Sequence, residues 1–186
     1  MGYAYTANYA DSTVTKIDLS TFTTVGSALA VGSGPLSIAI DPSGTYAYTD
    51  NHVDSTVTKI ALSTFTTVGT DLAVGSGPYS IAIDPSGTYA YTANNGTSTV
   101  TKIDLSTFTT VGSALAVGSG PYSIAIDPSG TYAYTANESA STVTKIDLST
   151  FTTIGGALTV GTNPFSIAIA TAPKIANYGF LMFMGS

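Results

Sequence analysis

The sequence predicts an all-β fold made of four copies of one unit. Three observations support this prediction: short phrases recur every 43 residues, each unit holds four runs of β-forming residues, and Pro-Gly turn signals separate the runs. The phrase DPSGTYAYT begins at Asp41, Asp84 and Asp127, and STVTKI begins at Ser12, Ser55, Ser98 and Ser141. Repeats of about 40–45 residues with four strands each are typical of β-propeller blades. The predicted fold class is therefore a four-bladed β-propeller.

The second unit shows the predicted strands in order. The run 46–49 carries Tyr at alternate positions, 56–60 is β-branched almost throughout, 65–68 is similar, and 80–83 is short and apolar. Val, Ile, Thr, Tyr and Phe suit the pleated, packed surface of a strand. Turn signals such as Asp41-Pro42-Ser43-Gly44 and Gly77-Pro78 separate them. Since no run has helical spacing with caps, each blade is predicted to be a four-stranded antiparallel sheet, with a β-solenoid as the alternative.

The repeat resembles the YVTN-type β-propeller repeats of bacterial and archaeal surface-layer-like proteins. The resemblance rests on GPYSIAIDPSGTYAYTAN at 77–94 and STVTKIDL at 98–105, and it extends from residue 2 to about residue 170. It implies a propeller of four-stranded blades, often seven in number, with the strand at 80–83 innermost and the strand at 65–68 outermost. This chain carries four units rather than seven.

The first unit lacks an inner strand, because the chain enters it at Tyr3, which corresponds to Tyr46 of the second unit. The segment Phe165–Ala170 matches the inner strand and has no blade of its own. We therefore expect a 3+1 velcro closure in which this segment completes the first blade and removes an open sheet edge. The alternative is a ring of eight blades made from two chains. The predicted domains are the propeller at 1–172 and an apolar tail at 173–186.

Composition excludes several classes of function. The chain has five Lys, no Arg and eleven acidic residues, which gives a net charge of −6. Readers of the nucleic-acid backbone need clustered basic residues, so no nucleic-acid partner is expected. The absence of Cys excludes disulfides and thiolate metal sites. No apolar run is long enough to span a bilayer.

Residues that recur in every unit are predicted to be structural. The paired tyrosines, for example Tyr46 and Tyr48, are expected to pack blade against blade. Lys16, Lys59, Lys102 and Lys145 occupy one repeat position, and we expect each Lys to lie beside an Asp two residues on where the unit has one. Asp41 and its equivalents are expected to accept backbone N–H groups within their turns rather than to bind calcium.

Catalytic residues are scarce in the sequence. His52 is the one His and Glu138 the one Glu, and neither recurs in the other units. Spacing nominates no nucleophile, base and orienting group, and the Gly-rich stretch 31–35 precedes a strand rather than a helix. The sequence therefore predicts a protein that is not an enzyme and that has no cofactor and no metal.

The units differ most in the loop between the second and third strands. Ligand sites usually lie on loops carried by a rigid scaffold, so these loops are the candidate site for a glycan or a peptide, although relaxed drift of exposed loops explains the variation as well. The candidate residues are Asn8, Tyr9, Asp11, Asn51, His52, Asp54, Asn94, Asn95, Asn137 and Glu138.

The tail breaks the repeat and ends in a run of large apolar side chains. Such a run is not expected loose in water: it lies against its own propeller, adds a strand to a neighbouring subunit, or is vector-derived. The predicted self-assembly residues are Tyr178, Phe180, Leu181, Met182, Phe183 and Met184.

These observations predict a structural protein, an extracellular or cell-surface propeller that assembles with other copies of itself into a filament or layer. No signal peptide precedes Tyr3, as expected of a mature or excised segment. The alternatives are a glycan- or peptide-binding module and an artificial propeller made by amplifying one repeat.

Overall fold

The structure, a computed structural model, describes residues 2–170. Within them every regular element is a β-strand, and no helix is long and apolar enough to cross a membrane. The strands form four antiparallel sheets, one for each repeat. The prediction of four propeller blades is confirmed.

The strand bounds repeat with the sequence. Blade 1 comprises β1 (Tyr3–Asn8), β2 (Thr13–Asp18), β3 (Thr23–Thr24) and β4 (Leu29–Ala30). Blade 2 comprises β5 (Pro35–Ile40), β6 (Tyr46–Asn51), β7 (Thr56–Ala61), β8 (Thr66–Thr67) and β9 (Leu72–Ala73). Blade 3 comprises β10 (Pro78–Ile83), β11 (Tyr89–Asn94), β12 (Thr99–Asp104), β13 (Thr109–Thr110) and β14 (Leu115–Ala116). Blade 4 comprises β15 (Pro121–Ile126), β16 (Tyr132–Asn137), β17 (Thr142–Asp147), β18 (Thr152–Thr153) and β19 (Leu158–Thr159).

The outer edge of each blade is split into two short strands. In blade 2, β8 and β9 both pair with β7, one towards each end. Gly69 lies between them with a φ of +71°, a conformation that glycine adopts without strain. The single outermost strand predicted around Phe65 is therefore two strands of two residues each.

The turn between the first two strands of a blade forms as the sequence predicts. The Asp41 carboxylate accepts the backbone N–H of Thr45 at 2.8 Å, and the Asp41 carbonyl accepts the N–H of Gly44 at 2.9 Å. Asp84 and Asp127 accept the equivalent bonds from Thr88 and Thr131. The structural role predicted for these Asp residues is confirmed.

Each interface between blades contains a lysine enclosed by aromatic rings. The Nζ of Lys59 lies 4.3 Å from the Tyr46 ring centroid and donates to the Leu105 carbonyl at 3.2 Å. The Tyr48 ring packs 6.0 Å from that of Phe108 in the next blade. The packing role predicted for the tyrosines is confirmed. The expectation that a Lys lies beside an Asp two residues on is wrong at Lys102, which lies 4.0 Å from the Tyr89 ring centroid and donates to the Leu148 carbonyl at 3.4 Å. The lysine is drawn into the interface because a carbonyl and π faces there replace its water.

The predicted closure of the ring is not formed. Within residues 2–170, β1 pairs with β2 alone, and Phe165–Ala170 forms no strand with it. Instead the N–H of Ile167 donates to the Ser123 hydroxyl at 3.4 Å, as the N–H of Ile124 does to Ser80. The segment thus occupies the inner position beyond β15. This placement repeats the packing of β15 on β10, so the segment continues the pattern of the preceding blades and leaves the edge of β1 unpaired.

The described arc has two exposed ends. β6 and β11 of the central blades are almost wholly buried, but β1 is mostly exposed or half-buried. The hydrophobic core accordingly lies in three clusters, one between each pair of neighbouring blades. Residues 171–186, which include the whole predicted tail and all its self-assembly residues, lie outside the described residues.

Candidate functional site

A row of aromatic side chains runs across the starts of the inner strands. Tyr79, Tyr122 and Phe165 occupy one repeat position in three successive units. The ring centroids of Tyr79 and Tyr122 lie 4.2 Å apart, and those of Tyr122 and Phe165 lie 4.8 Å apart with the rings edge to face. Tyr79 and Tyr122 sit where the strand register shifts, and such a bulge re-aims a side chain out of the regular ladder.

His52 extends this row from blade 2. Its imidazole lies edge-on to Tyr79, with the centroids 4.6 Å apart, and faces Tyr9 at 6.5 Å. The Nδ1 atom is buried and has no hydrogen-bond partner among the described residues. A Cβ at Gly77 would lie 3.2 Å from the His52 Cε1, so glycine at that position leaves room for the imidazole.

Glu138 occupies the same repeat position as His52, two blades further on, and its charge acts on the same tyrosine. Its backbone N–H donates to the Gly120 carbonyl at 2.8 Å, and its carboxylate accepts the hydroxyl of Ser139. Burial, the neighbouring Tyr122 and the Glu138 carboxylate together raise the pKa of Tyr79. A tyrosine held in its protonated form can donate a hydrogen bond to a developing negative charge. The one His of the sequence therefore packs on Tyr79, and the negative charge of the one Glu helps to raise the pKa of that tyrosine.

Asp50 is a second departure from the repeat, because the equivalent residues are Ala7, Ala93 and Ala136. Its carboxylate is buried and accepts the N–H groups of Leu36 and Ser37, while Oδ2 has no partner among the described residues. Burial raises the pKa of Asp50 to about 7, and the two hydrogen bonds oppose the rise. A buried ionisable group with an unsatisfied atom is a common feature of functional sites.

The hydrogen bonding around Asp50 differs from that in the neighbouring blades. In blades 3 and 4 the hydroxyls of Thr92 and Thr135 donate to the adjacent Asn side chain. In blade 2 the Thr49 hydroxyl donates to backbone carbonyls instead, and the Asn51 Oδ1 is left without a partner. Asp50, Asn51 and His52 thus form a run of three residues that each carry an unpaired buried polar atom.

Grooves between the blades are a weaker candidate. The groove lined by Lys59, Asp71 and Phe108 has a volume of about 370 Å³; a second groove opens at the same interface, and a third lies between blades 1 and 2. These grooves recur with the repeat and follow from the packing of blade on blade. Around Tyr79 the repeat is broken instead, and no group of three or more His, Asp or Glu suited to a metal occurs in residues 2–170.

Comparison with known families identifies the chain. A family model described as "Lactonase, 7-bladed beta-propeller" matches residues 3–170. The chain belongs to this lactonase family. The match spans all four described blades, whereas the family's description gives seven.

Solved structures share the fold of this lactonase-family chain at low identity. Hydrazine synthase of Kuenenia stuttgartiensis is 22% identical with a TM-score of 0.80, over 87% of this chain and 47% of that one. A functionally unknown protein from Desulfotomaculum acetoxidans DSM 771 is 15% identical with a TM-score of 0.75, over 86% and 53%. A protein from Bacteroides uniformis ATCC 8492 named "putative 6-phosphogluconolactonase" is 16% identical with a TM-score of 0.73, over 88% and 53%. A search of curated proteins finds no match.

The chain spans about half the length of these solved structures. Because the identities are low, the likeness establishes the fold and not the activity.

The lactonase family overturns two predictions from the sequence. The prediction that the protein is not an enzyme is wrong, because the family that matches residues 3–170 is named for an enzymatic activity. The prediction of a structural protein that forms a filament or layer is contradicted by the same match and by the lactonase-like neighbour. The resemblance to propeller repeats is confirmed at the level of the propeller family.

The structure separates the loop residues that the sequence nominated. Each loop Asn ties together its own hairpin: the Asn94 amide, for example, donates to Thr99 and Thr101 at 3.1 and 2.9 Å. The same pair of bonds is made by Asn8, Asn51 and Asn137. Ligand binding by these residues, and by the loop residues Tyr9, Asp11, Asp54 and Asn95, stays a prediction.

Sequence reasoning missed Asp50, Tyr79 and Tyr122 as members of a site. Asp50 carried a readable signal, since it replaces an Ala that is present in the other three units. Tyr79 and Tyr122 carried none, because they recur and look like packing residues. Their role depends on loops from neighbouring blades that lie over them.

Proposed function

We propose that this protein hydrolyses an uncharged cyclic ester, a lactone, at the site formed by His52, Tyr79, Tyr122 and Glu138. The observation that carries the proposal is the packing of the single His on Tyr79, whose pKa is raised by burial, by Tyr122 and by the charge of Glu138. Membership of a lactonase family supplies the reaction class. The stacked tyrosines offer flat apolar faces for a small ring.

The residues divide the chemistry as follows. His52 accepts a proton from a water molecule whose oxygen bonds to the lactone carbonyl carbon. The Tyr79 hydroxyl donates a hydrogen bond to the carbonyl oxygen as it gains negative charge. The bond between the carbonyl carbon and the ring oxygen then breaks, and the proton passes from His52 to that oxygen. The product is the open hydroxy acid, and Glu138 is the other proton acceptor within the site.

The distribution of positive charge favours a substrate without phosphate. The sequence has no Arg, and Lys16, Lys59, Lys102 and Lys145 are each placed over a tyrosine ring of their own blade. The remaining lysine, Lys174, lies outside the described residues. Phosphate recognition usually relies on Arg or Lys, so we expect a sugar lactone to be a better substrate than its phosphate ester.

The test is hydrolysis of glucono-δ-lactone and of its 6-phosphate, followed by titration of the acid released at constant pH. We expect turnover of the unphosphorylated lactone and a loss of about 100-fold or more in His52→Ala, the usual contribution of a general base. Glu138→Gln and Tyr79→Phe should also lose activity. Val53→Ala, in the same loop as His52 but exposed, is the matched control and should keep the wild-type rate.

Two outcomes contradict this function. If wild-type protein hydrolyses neither lactone faster than buffer does, the proposed activity is wrong. If His52→Ala and Glu138→Gln both keep full activity, the protein is a lactonase but the reaction takes place elsewhere.

Glycan binding without turnover is a second candidate, favoured by the row Tyr79, Tyr122 and Phe165. Aromatic faces stack on the apolar faces of sugar rings. Titration calorimetry with neutral oligosaccharides would show saturable heat that Tyr122→Ala abolishes. If no oligosaccharide gives heat on titration, glycan binding is wrong and lactone hydrolysis remains the proposed role of this aromatic row.

We also propose that the repeats are of the YVTN type and that the protein is extracellular or on the cell surface. The supporting observation is the motif at 77–94 and 98–105, together with the absence of Cys. Fractionation of the cells that produce the protein, followed by immunodetection, tests the location. Detection in the cytosol alone would contradict it.

A further inference from the structure

The two ends of the described arc are the two halves of one interface. At each internal interface a Phe packs on a Tyr of the preceding blade, with ring centroids 6.0 Å apart in all three cases. At the first blade the equivalent Phe22 has no such tyrosine within residues 2–170 and is 82% exposed. At the last blade the equivalent Tyr134 has no such phenylalanine, and Lys145 contacts the rings of Tyr132 and Tyr134 alone among the described residues.

The leucine that recurs once in each unit shows the same contrast between the internal interfaces and the free end. Leu62, Leu105 and Leu148 are 5–9% exposed, because each lies against the preceding blade, whereas Leu19 at the free end is 55% exposed. The carbonyls of Leu105 and Leu148 accept hydrogen bonds from Lys59 and Lys102. By the same spacing the Leu19 carbonyl is the matching acceptor for Lys145.

The inner strands repeat this complementarity. Blade 1 has no inner strand in the described residues, and β1 offers an unpaired edge. Beyond blade 4, Phe165–Ala170 lies in the inner-strand position with no blade outside it, held by the bond from the Ile167 N–H to Ser123. Asn163 shares the positive φ of Gly34, Gly77 and Gly120, so this segment starts as the inner strands of the other blades do.

We propose that a second copy of this chain docks head to tail on the first and closes a ring of eight blades. Phe22 and Leu19 of each copy pack on Tyr134 and Lys145 of the other, and Phe165–Ala170 of each copy pairs with β1 of the other. Both new interfaces use the side chains that already form the three internal ones. A ring of eight blades turns about 45° per blade and one of seven about 51°, both within the range that propellers adopt.

A second copy is the occupant that fits best, because the exposed surfaces match each other residue by residue. An unpaired strand edge, such as that of β1, and an exposed Phe are otherwise sites of non-specific association. Since two head-to-tail contacts close the ring, association stops at the dimer instead of continuing into a fibre.

The experiment is to measure the mass of the full chain in solution over a range of concentrations by light scattering and native mass spectrometry. We expect twice the chain mass of 18.8 kDa and no larger species as concentration rises. Phe22→Glu and Leu19→Glu should each raise the dimer dissociation constant by about 100-fold or more, since they place a charge in an apolar contact. Val53→Glu, exposed on blade 2, is the control and should leave the dimer intact.

Mixing two variants tests the head-to-tail arrangement. Phe22→Glu alone and Tyr134→Glu alone each spoil both contacts of a ring. A mixture of the two restores one intact contact, between Phe22 of one variant and Tyr134 of the other, so a mixed dimer should form. Circular dichroism of each variant checks that the sheets are retained.

Three results would overturn the proposal. The wild-type chain could stay monomeric at high concentration, or it could grow without limit instead of stopping at two copies. The mixture could also associate no better than either variant alone, in which case the copies do not meet head to tail.

Discussion

Asp50 shows what one residue that departs from the repeat does to the protein. The other units hold Ala at this position, and in blade 3 Ala93 pairs regularly with Ser80. In blade 2 the register shift is wider, from Pro35 to Ile38, because the N–H groups of Leu36 and Ser37 turn to the carboxylate. The cost of burying this charge should therefore appear in the pH dependence of stability.

Asp50→Ala should remove a pH-dependent loss of stability. Burial raises the pKa of Asp50 from 3.8 to about 7, so the folded protein binds the proton more tightly than the unfolded chain. The free energy of unfolding is then highest below about pH 4, falls as pH rises to about 7, and is level above that. Urea unfolding at pH 5 and pH 8 should show a difference of at most about 3 kcal/mol in wild type and less in the variant.

Ala93→Asp is the matched counterpart in blade 3. It should introduce the same fall in stability between pH 4 and 7 into a blade that lacks it. If wild type and Asp50→Ala show the same pH dependence, the Asp50 carboxylate is not the group responsible.

The site residues could be predicted from the sequence only in part. His52 and Glu138 stood out as the single members of their types, but spacing along the chain did not link either of them to Tyr79. The repeat explains the position of His52, because each loop between the second and third strands lies near the inner strand of the following blade. His52 accordingly meets Tyr79, which is 27 residues further on. The spacing of residues along the chain does not show that His52 contacts Tyr79, because the contact depends on how neighbouring blades pack.

At the scale of single elements, the hairpin between the second and third strands depends on one amide. The Asn94 side chain is fully buried and donates to the hydroxyls of Thr99 and Thr101 on the partner strand. A Cβ at Gly75 would lie 2.5 Å from the Asn94 Nδ2, so the amide fills its space tightly.

Asn94→Ala should destabilise the protein by about 2 kcal/mol or more, because three hydrogen bonds are lost and the buried Thr92 hydroxyl, which donates to the amide oxygen, is left unpaired. Chemical unfolding followed by circular dichroism measures the change. Asn8→Ala is the control in the exposed first blade, where the equivalent amide is only half-buried, and it should cost less. Equal losses at both positions would show that burial does not set the strength of this hairpin.

The elements themselves were predictable because their signals are local. Alternating Tyr and β-branched residues set the strands, and the Asp-Pro-Ser-Gly turns set the first hairpin of each blade. The split of the outer strand was not predictable from β propensity, since Phe65 to Val68 reads as one continuous run. Phe65 takes a φ of +53° and leaves the ladder, and its ring packs instead on Tyr5 of the preceding blade. Tertiary packing thus overrides the local preference of this segment.

At the scale of the whole molecule, the sequence predicts the number of blades but not whether the ring closes. The number of repeats gives the number of blades, whereas closure depends on the angle at which neighbouring blades pack. That angle is set by side chains such as Lys59, Tyr48 and Phe108, which fill the interface. The surplus strand at 165–170 looked like the missing strand of blade 1, and in the structure it continues the arc beyond blade 4.

Stability should therefore vary along the arc. The central blades are covered on both sides, and β6 and β11 are almost wholly buried, whereas β1 is not. Local opening is easiest where few buried contacts hold a strand. In hydrogen exchange at low protein concentration, the amides of β1 should exchange at least about tenfold faster than those of β6.

Raising the protein concentration should slow the exchange of β1 and leave β6 unchanged. In the proposed ring, Phe165–Ala170 of a second copy covers β1, so its protection follows the fraction of dimer. Phe22→Glu separates the effect of docking from that of crowding, because it should keep β1 fast at every concentration while β6 stays protected. Fast exchange of β1 in wild type at all concentrations would mean that the edge is left open. Equal protection of β1 and β6 in Phe22→Glu would mean that a single copy already covers it.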